Sequence, residues 1–131
     1  MIVVDSSALV DCLSPLVVDP ELDRRLLGED SLHAPHLVGV EVASALRRFV
    51  ARGLLTDDRA RDVLLDLDAL PIERYPHEPL LERAWELRNT VTIQDGVYVA
   101  LAEALAAPLV TCDRRLAQAP GIHPLVELFA P

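Results

Sequence analysis

Two hydrophobic periods alternate along the chain, and where one gives way to the other the element changes. Ile2-Val3-Val4 is a β-branched run of the kind that forms a buried strand, ending on Asp5. Ser6 and Ser7 open a short helix to about Leu13, stopped by Ser14-Pro15. A second short helix covers Pro20 to Leu27 and closes at Gly28, and Ser31 to Ala34 reads as a short strand. Pro35 opens the connection to a long helix from about Leu37 to Arg52, ended by Gly53. In that helix Val38, Val42, Ala45, Leu46 and Phe49 recur at helical spacing and form the core face.

The next helix runs from Thr56, as N-cap, to about Leu70, with Arg59 and Arg61 outward and Val63, Leu64 and Leu67 inward. Pro71 to Tyr75 is a strand candidate. Glu78 to Arg88 is helical, with Leu80, Leu81, Ala84, Trp85 and Leu87 as its apolar positions. Gln94 to Ala107 is apolar almost all round, which predicts a central buried helix. Leu109 to Cys112 reads as a strand ending at Asp113, Arg114 to Ala119 as a short helix, and Leu125 to Phe129 as a last edge strand. Alternating βα units with short strands imply an α/β fold, a mostly parallel sheet covered by helices on both faces.

Length and composition narrow the function. The chain has 131 residues, 51% of them hydrophobic, which suits one domain spanning 1–131 and excludes a disordered chain. No apolar run approaches the ~18–20 residues that span a bilayer, and no basic segment or cleavage site marks the N-terminus, so a cytoplasmic protein is expected. Cys12 and Cys112 lie too far apart for a C-x-x-C site and are expected as buried thiols. Twenty-one acids face twelve bases, a net charge of −9, and every base is arginine. The absence of lysine rules out a P-loop and Schiff-base catalysis. It also argues against a phospho-accepting signalling domain, which needs a lysine at its phosphate. A net −9 repels nucleic acid unless something locally inverts the sign, and a divalent cation is the obvious candidate.

In an open parallel sheet, ligands bind beyond the carboxyl ends of the strands, where strand order reverses. Two predicted strands finish on Asp5 and Asp113, and two predicted helices carry Glu41 and Asp95 in or near their first turns. All four acids therefore point toward one rim. Each has a bland explanation. Asp5 and Asp113 stand where N-caps belong, Thr92-Ile93-Gln94-Asp95 fits a capping box, and Glu41 lies at the favourable end of a helix dipole. Four acids on one rim repel one another unless a cation compensates, and hard oxygen ligands suit Mg²⁺ or Mn²⁺.

The blocks Val3-Val4-Asp5-Ser6-Ser7-Ala8-Leu9-Val10, Val40-Glu41-Val42-Ala43-Ser44-Ala45-Leu46-Arg47-Arg48, Asp95-Gly96-Val97-Tyr98-Val99-Ala100-Leu101-Ala102 and Leu109-Val110-Thr111-Cys112-Asp113-Arg114-Arg115-Leu116 resemble the ordered signature blocks of PIN-domain proteins. Within that family the chain looks most like the VapC-type ribonuclease toxins of toxin–antitoxin pairs. The resemblance covers essentially the whole chain. It implies a PIN-like three-layer α/β/α sandwich and a Mg²⁺- or Mn²⁺-dependent endoribonuclease that leaves a 5′-phosphate and a 3′-hydroxyl. Asp5, Glu41, Asp95 and Asp113 match the family's four acidic positions: Asp5 and Asp95 as direct metal ligands, Asp113 completing the site or holding a second ion, Glu41 orienting a water on the ion. Thr111 matches a hydroxyl position beside the site and is grouped with Arg114 and Arg115 as a substrate contact. A VapB-type antitoxin and a homodimer are the partners implied. The chain has Gln94 and Gly96 around Asp95 where the family often has Tyr and Ala, and Ser44 where it often has Asn.

Other candidates carry less. His33 and His36 form a lone H-x-x-H that reads as loop polarity, as do His77 and His123 beside prolines. Ser6 and Ser7 lack a G-x-S-x-G elbow. Trp85 and Tyr98 read as core rather than base-stacking platforms. Arg47, Arg48 and Arg52, which follow Glu41 on its helix, read as a solvated face or intrahelical ion pairs, with a grip on substrate phosphate as the alternative. The alternative function is a catalytically silent PIN-like binding module.

Overall fold

The structure, a computed structural model, describes residues 1–130. Five strands and seven helices follow in the order β1 (Ile2–Val4), α1 (Ser6–Leu13), α2 (Pro20–Leu27), β2 (Leu32–Pro35), α3 (Val38–Ala51), α4 (Asp57–Ala69), β3 (Ile72–Tyr75), α5 (Leu81–Glu86), α6 (Ile93–Leu105), β4 (Leu109–Thr111), α7 (Arg114–Ala117) and β5 (Val126–Leu128). The sheet order is β3-β2-β1-β4-β5, and each neighbouring pair is parallel, β1 pairing Ile2 with Leu32 on one side and Val3 with Leu109 on the other.

The chain winds from β1 outward to β3, then returns across the sheet to β4 and on to β5. Right-handed crossovers then set α1–α4 over one face and α5–α7 over the other, the three-layer α/β/α arrangement. Strand order reverses between β1 and β4, so the crevice beyond their carboxyl ends is the natural ligand site. Both strands are completely buried. Their β-branched and leucine side chains, with Tyr98, Val99 and Leu101 of α6, form the centre of the core. Each such side chain contributes about 1.5–3 kcal/mol through burial. That core is the rigid base on which the rim is built.

Local signals set the helix ends that matter. Asp19 accepts the Glu21 and Leu22 N–H groups and starts α2, and Thr56 and Thr92 cap α4 and α6 by accepting from Arg59 and Asp95 N–H. Gly53 ends the turn after α3 with φ +71°, a left-handed backbone that favours glycine.

Several expectations are corrected. The predicted Glu78–Arg88 helix is broken into a 3-10 turn at Glu78–Leu80 and the short α5. Leu81 and Trp85 are exposed, not core; Trp85 is 61% accessible. The reason is the contact α5 makes with α6: a Cβ on Gly96 would come within 3.0 Å of both Cα and Cβ of Ala84. Small residues bring the two helices together there, and the large side chains of α5 lie outside the contact. Gly96, one of the departures from the family pattern, is thereby a packing choice. On α4 the buried stripe is Ala60, Val63 and Leu67, which leaves Leu64 on its exposed flank. His33 is no loop residue: it is buried in β2, with Nδ1 2.7 Å from the Tyr75 hydroxyl and Nε2 2.8 Å from Ser31 Oγ. His77 accepts the Leu37 N–H through Nε2 at 2.9 Å and so secures the start of α3. Cys12 and Cys112 are free and half-buried. Among the described residues no helix is long and apolar enough to cross a membrane.

The Ala84–Gly96 contact yields a stability prediction. Gly96→Ala gains about 1 kcal/mol of helix propensity but overpacks a backbone contact, which costs about 1–3 kcal/mol. A net loss of roughly 1 kcal/mol is expected in chemical denaturation, partly relieved by adding Ala84→Gly. A Gly96→Ala protein more stable than wild type would contradict this packing account.

Candidate active site

Asp5 follows β1 directly and occupies the N-cap position of α1, yet its side chain makes no capping hydrogen bond. It is held for another purpose. Thr111 Oγ1 donates to Asp5 Oδ2 at 2.7 Å and Ser7 Oγ donates to the same oxygen at 2.8 Å. Both hydroxyls are themselves oriented, Thr111 by the Asp113 N–H at 3.0 Å and Ser7 by the Cys112 N–H at 3.0 Å. Each accepts from the backbone and so turns its proton toward Asp5. Asp5 is only 4% accessible. Burial pushes its pKa up, opposed by the Thr111 and Ser7 hydroxyls and reinforced by the Asp113 charge.

Thr111 is fully buried, which corrects the expectation that it contacts substrate: its hydroxyl is spent on Asp5. Ser7, read from sequence only as a helix opener, is its counterpart. The signal available was its position two residues after a strand-ending aspartate, on the helix turn that returns toward β4.

The other three acids gather around this pair. Asp113 caps α7, its Oδ1 accepting the Arg115 N–H at 2.9 Å, so the capping reading holds for that oxygen. Asp95 lies in the first turn of α6; Thr92 caps its N–H at 3.1 Å, and no return bond from the Asp95 carboxylate closes a capping box among the described residues. Burial first, then the Asp5 and Asp113 charges, push the Asp95 pKa up to about 6, against the lowering effect of the Thr92 hydroxyl and Arg115. Glu41, in the first turn of α3, is pushed up by burial and by the Asp5 and Asp95 charges. The Tyr98 hydroxyl is near enough to favour its charged form, but neither that hydroxyl nor Glu41 Oε1 completes a hydrogen bond within ordinary geometry; both are buried without a partner.

Elements from both faces of the sheet thus bring Asp5, Glu41, Asp95 and Asp113 within mutual electrostatic reach at the β1/β4 crevice. They are gathered but not closed, since among the described residues no three Asp, Glu, His or Cys side chains form a ready-made chelate. The donor set fits a hard divalent cation. It is all oxygen, it carries excess negative charge, and it includes an orphaned buried carboxylate oxygen on Glu41. The nearby Cys112 thiol is pushed up by burial and by Asp11.

Two clefts flank the rim. One, of about 580 Å³, lies between α1 and α3 and is lined by Ser6, Asp11, Glu41, Ser44, Arg48 and Gln94 among others. The other, of about 340 Å³, is lined by Arg88, Asn89, Thr92, Asp95 and Arg115. Arg115 is almost fully exposed and its Nε lies 3.8 Å from Asp113 Oδ1; Arg114 is exposed beside it.

Comparison with known proteins extends this picture. The family model of the PIN domain matches residues 2–122. The chain is 45% identical over 130 residues to Ribonuclease VapC12 of Mycobacterium tuberculosis, covering 99% of this chain and 100% of that one. It is 47% identical over 127 residues to Ribonuclease VapC1 of the same organism, covering 96% of each. A solved toxin–antitoxin complex from Klebsiella pneumoniae superposes with a TM-score of 0.70 at 16% identity over 100% of both chains, a likeness of fold.

The raised pKa of Asp95 has a consequence for stability. Unfolded aspartate titrates near 3.8 and folded Asp95 near 6, so between those values the folded chain holds more protons and loses stability as pH rises. Asp95→Asn removes that cost. In EDTA, the melting temperature of Asp95→Asn relative to wild type is expected to be lowest at pH 4 and to rise by a few degrees above pH 6.5. The effect is modest because Asp95 keeps part of its surface in solvent. A gap independent of pH would contradict the repulsion described here.

Proposed function

The chain belongs to the PIN-domain family, and on that premise we propose that it is a ribonuclease, the toxin of a toxin–antitoxin pair, which hydrolyses RNA phosphodiester bonds at the rim formed by Asp5, Glu41, Asp95 and Asp113. The observation that carries this reading is the convergence of four acids, from β1, α3, α6 and the end of β4, on the crevice where strand order reverses. Structural caps alone give no reason to gather them, and Asp5 does not cap at all.

Asp5, Asp95 and Asp113 would hold a Mg²⁺ or Mn²⁺ ion, with Glu41 beside it. A divalent cation there offsets the carboxylate and phosphate charges and makes water a better nucleophile near neutral pH. The chain's own groups do the rest. Ser7 and Thr111 fix the direction of Asp5 Oδ2. Glu41, with a raised pKa and an unpaired Oε1, takes the proton of the water that attacks phosphorus. The bond from phosphorus to the 3′ oxygen breaks, that oxygen takes a proton from solvent water and leaves as a hydroxyl, and the phosphate stays on the 5′ side. Arg114 and Arg115, following Asp113 on α7, bring guanidinium charge to the non-bridging oxygens.

A VapB-type antitoxin is the partner this reading implies, in keeping with the toxin–antitoxin complex whose fold the chain shares. An antitoxin arginine reaching the acidic rim would supply the positive charge it lacks. Self-association as a homodimer belongs to the same reading.

Cleavage of structured RNA in Mg²⁺ or Mn²⁺, suppressed by EDTA, is the direct test. Asp5→Asn and Asp95→Asn are each expected to lower the rate by more than about 100-fold, beyond the cost of losing an outer contact. Wild-type protein that cuts nothing, or mutants that cut normally, would favour the silent binding module. Thr111→Val, which leaves the acids in place and removes only the donor that aims Asp5, is expected to weaken activity and Mn²⁺ affinity by roughly 10–100-fold. Unchanged metal affinity in Thr111→Val would show that Asp5 needs no such positioning.

A further inference from the structure

The arginines around the rim are mostly engaged. Arg115 approaches Asp113, and Arg88 lies 4.7 Å from the centre of the Trp85 ring and donates to the Trp85 carbonyl. Arg48 is different. It is exposed, and among the described residues its side chain makes no hydrogen bond, ion pair or ring contact. It is also the one cation among the residues lining the 580 Å³ cleft that holds Glu41.

Helix geometry explains how it comes to be there. Glu41 and Arg48 stand seven residues apart on α3, which places them on the same face, about 10 Å apart along the axis. Helical side chains lean toward the N-terminus, which carries the Arg48 guanidinium back along the cleft toward Glu41. Arg47, next in the chain, faces the opposite groove between α3 and α4.

On the reading that this cleft serves an RNA-cleaving site, we infer that Arg48 is a substrate-binding residue that grips a backbone phosphate flanking the scissile one and so sets the register of the RNA. The guanidinium fork matches phosphate oxygens in two-point fashion. Two helical turns beyond Glu41, Arg48 stands beside a phosphate that flanks the reacting one. Between the two, Ser6, Ser44 and Gln94 line the wall with hydroxyl and amide groups suited to a ribose 2′-hydroxyl and base edges. In a chain of net charge −9, one unpaired cation at the far end of an acidic cleft gives single-stranded RNA its direction of approach.

The test is binding of a fluorescein-labelled 12-nucleotide single-stranded RNA, followed by anisotropy in Ca²⁺ over a range of KCl, for wild type, Arg48→Gln, Arg48→Lys and Arg47→Gln. Arg48→Gln is expected to bind about ten-fold more weakly and to lower the slope of log K against log salt by about 0.7, one single-strand phosphate contact. Arg48→Lys, which keeps the charge and loses the fork, should fall between. Arg47→Gln removes the same charge outside the cleft and should match wild type. In Mg²⁺ the Arg48→Gln loss should fall on KM rather than kcat. Equal affinity and slope for Arg48→Gln and wild type, an equal loss in Arg47→Gln, or no binding by wild type overturns the inference. Failure of the nuclease reading shows separately, as no cleavage of RNA by wild type in Mg²⁺ or Mn²⁺.

Discussion

A carboxylate almost wholly removed from water, with three more acids around it, is the constraint to which the rest of the molecule answers. Asp5 sits at the end of the central strand, where the ladder from β4 still pairs with it through the Asp5 N–H and the Val110 carbonyl. Burying such a group is costly unless hydrogen bonds and opposite charge compensate. The hydroxyls of Thr111 and Ser7 supply the first, and each is fixed by a backbone N–H of the segment that carries Asp113. For the second, no arginine charge among the described residues is one of the leading influences on the Asp5 carboxyl. The like charges of Glu41, Asp95 and Asp113 raise the cost further, and they help push the Glu41 and Asp95 carboxyls upward in pKa after burial itself.

The fold makes this affordable by putting the strain at one edge of a very apolar base. β1 and β4 are completely buried, α6 is buried along most of its length, and the helices that bring Glu41 and Asp95 start at the same rim from opposite faces of the sheet. The N-terminus of each helix places partial positive charge near its acid, which eases the repulsion without cancelling it. Even remote details serve the placement. His77 secures the start of α3 near Glu41, and Gly96 lets α6 settle against α5 one residue after Asp95.

Much of this was legible in the sequence because it is local. Strands ending on Asp5 and Asp113, caps at Thr56 and Thr92, and Gly53 after α3 are signals carried by neighbours in the chain. The four acids could be assigned to one rim from strand order logic and from the family resemblance. What escaped is set by contacts between distant segments. The outward position of Trp85 and Leu81 follows from the close Ala84–Gly96 approach, which no helical period reveals. His33 reads as loop polarity until Tyr75 is brought beside it by β3. Thr111 and Arg48 each have two faces open to them in sequence; only the packed sheet turns the first inward to Asp5 and the second into the cleft.

The central claim is that the carboxylate cluster shares its excess charge with protons until a divalent cation displaces them. Calorimetric titration of Mn²⁺ into the protein, run at pH 6 in two buffers of different ionisation enthalpy, measures that exchange directly. Release of on the order of one proton per bound ion at pH 6, falling away by pH 8, is the result this account predicts. Heat-free titration, or binding at pH 6 with no proton released, would contradict it.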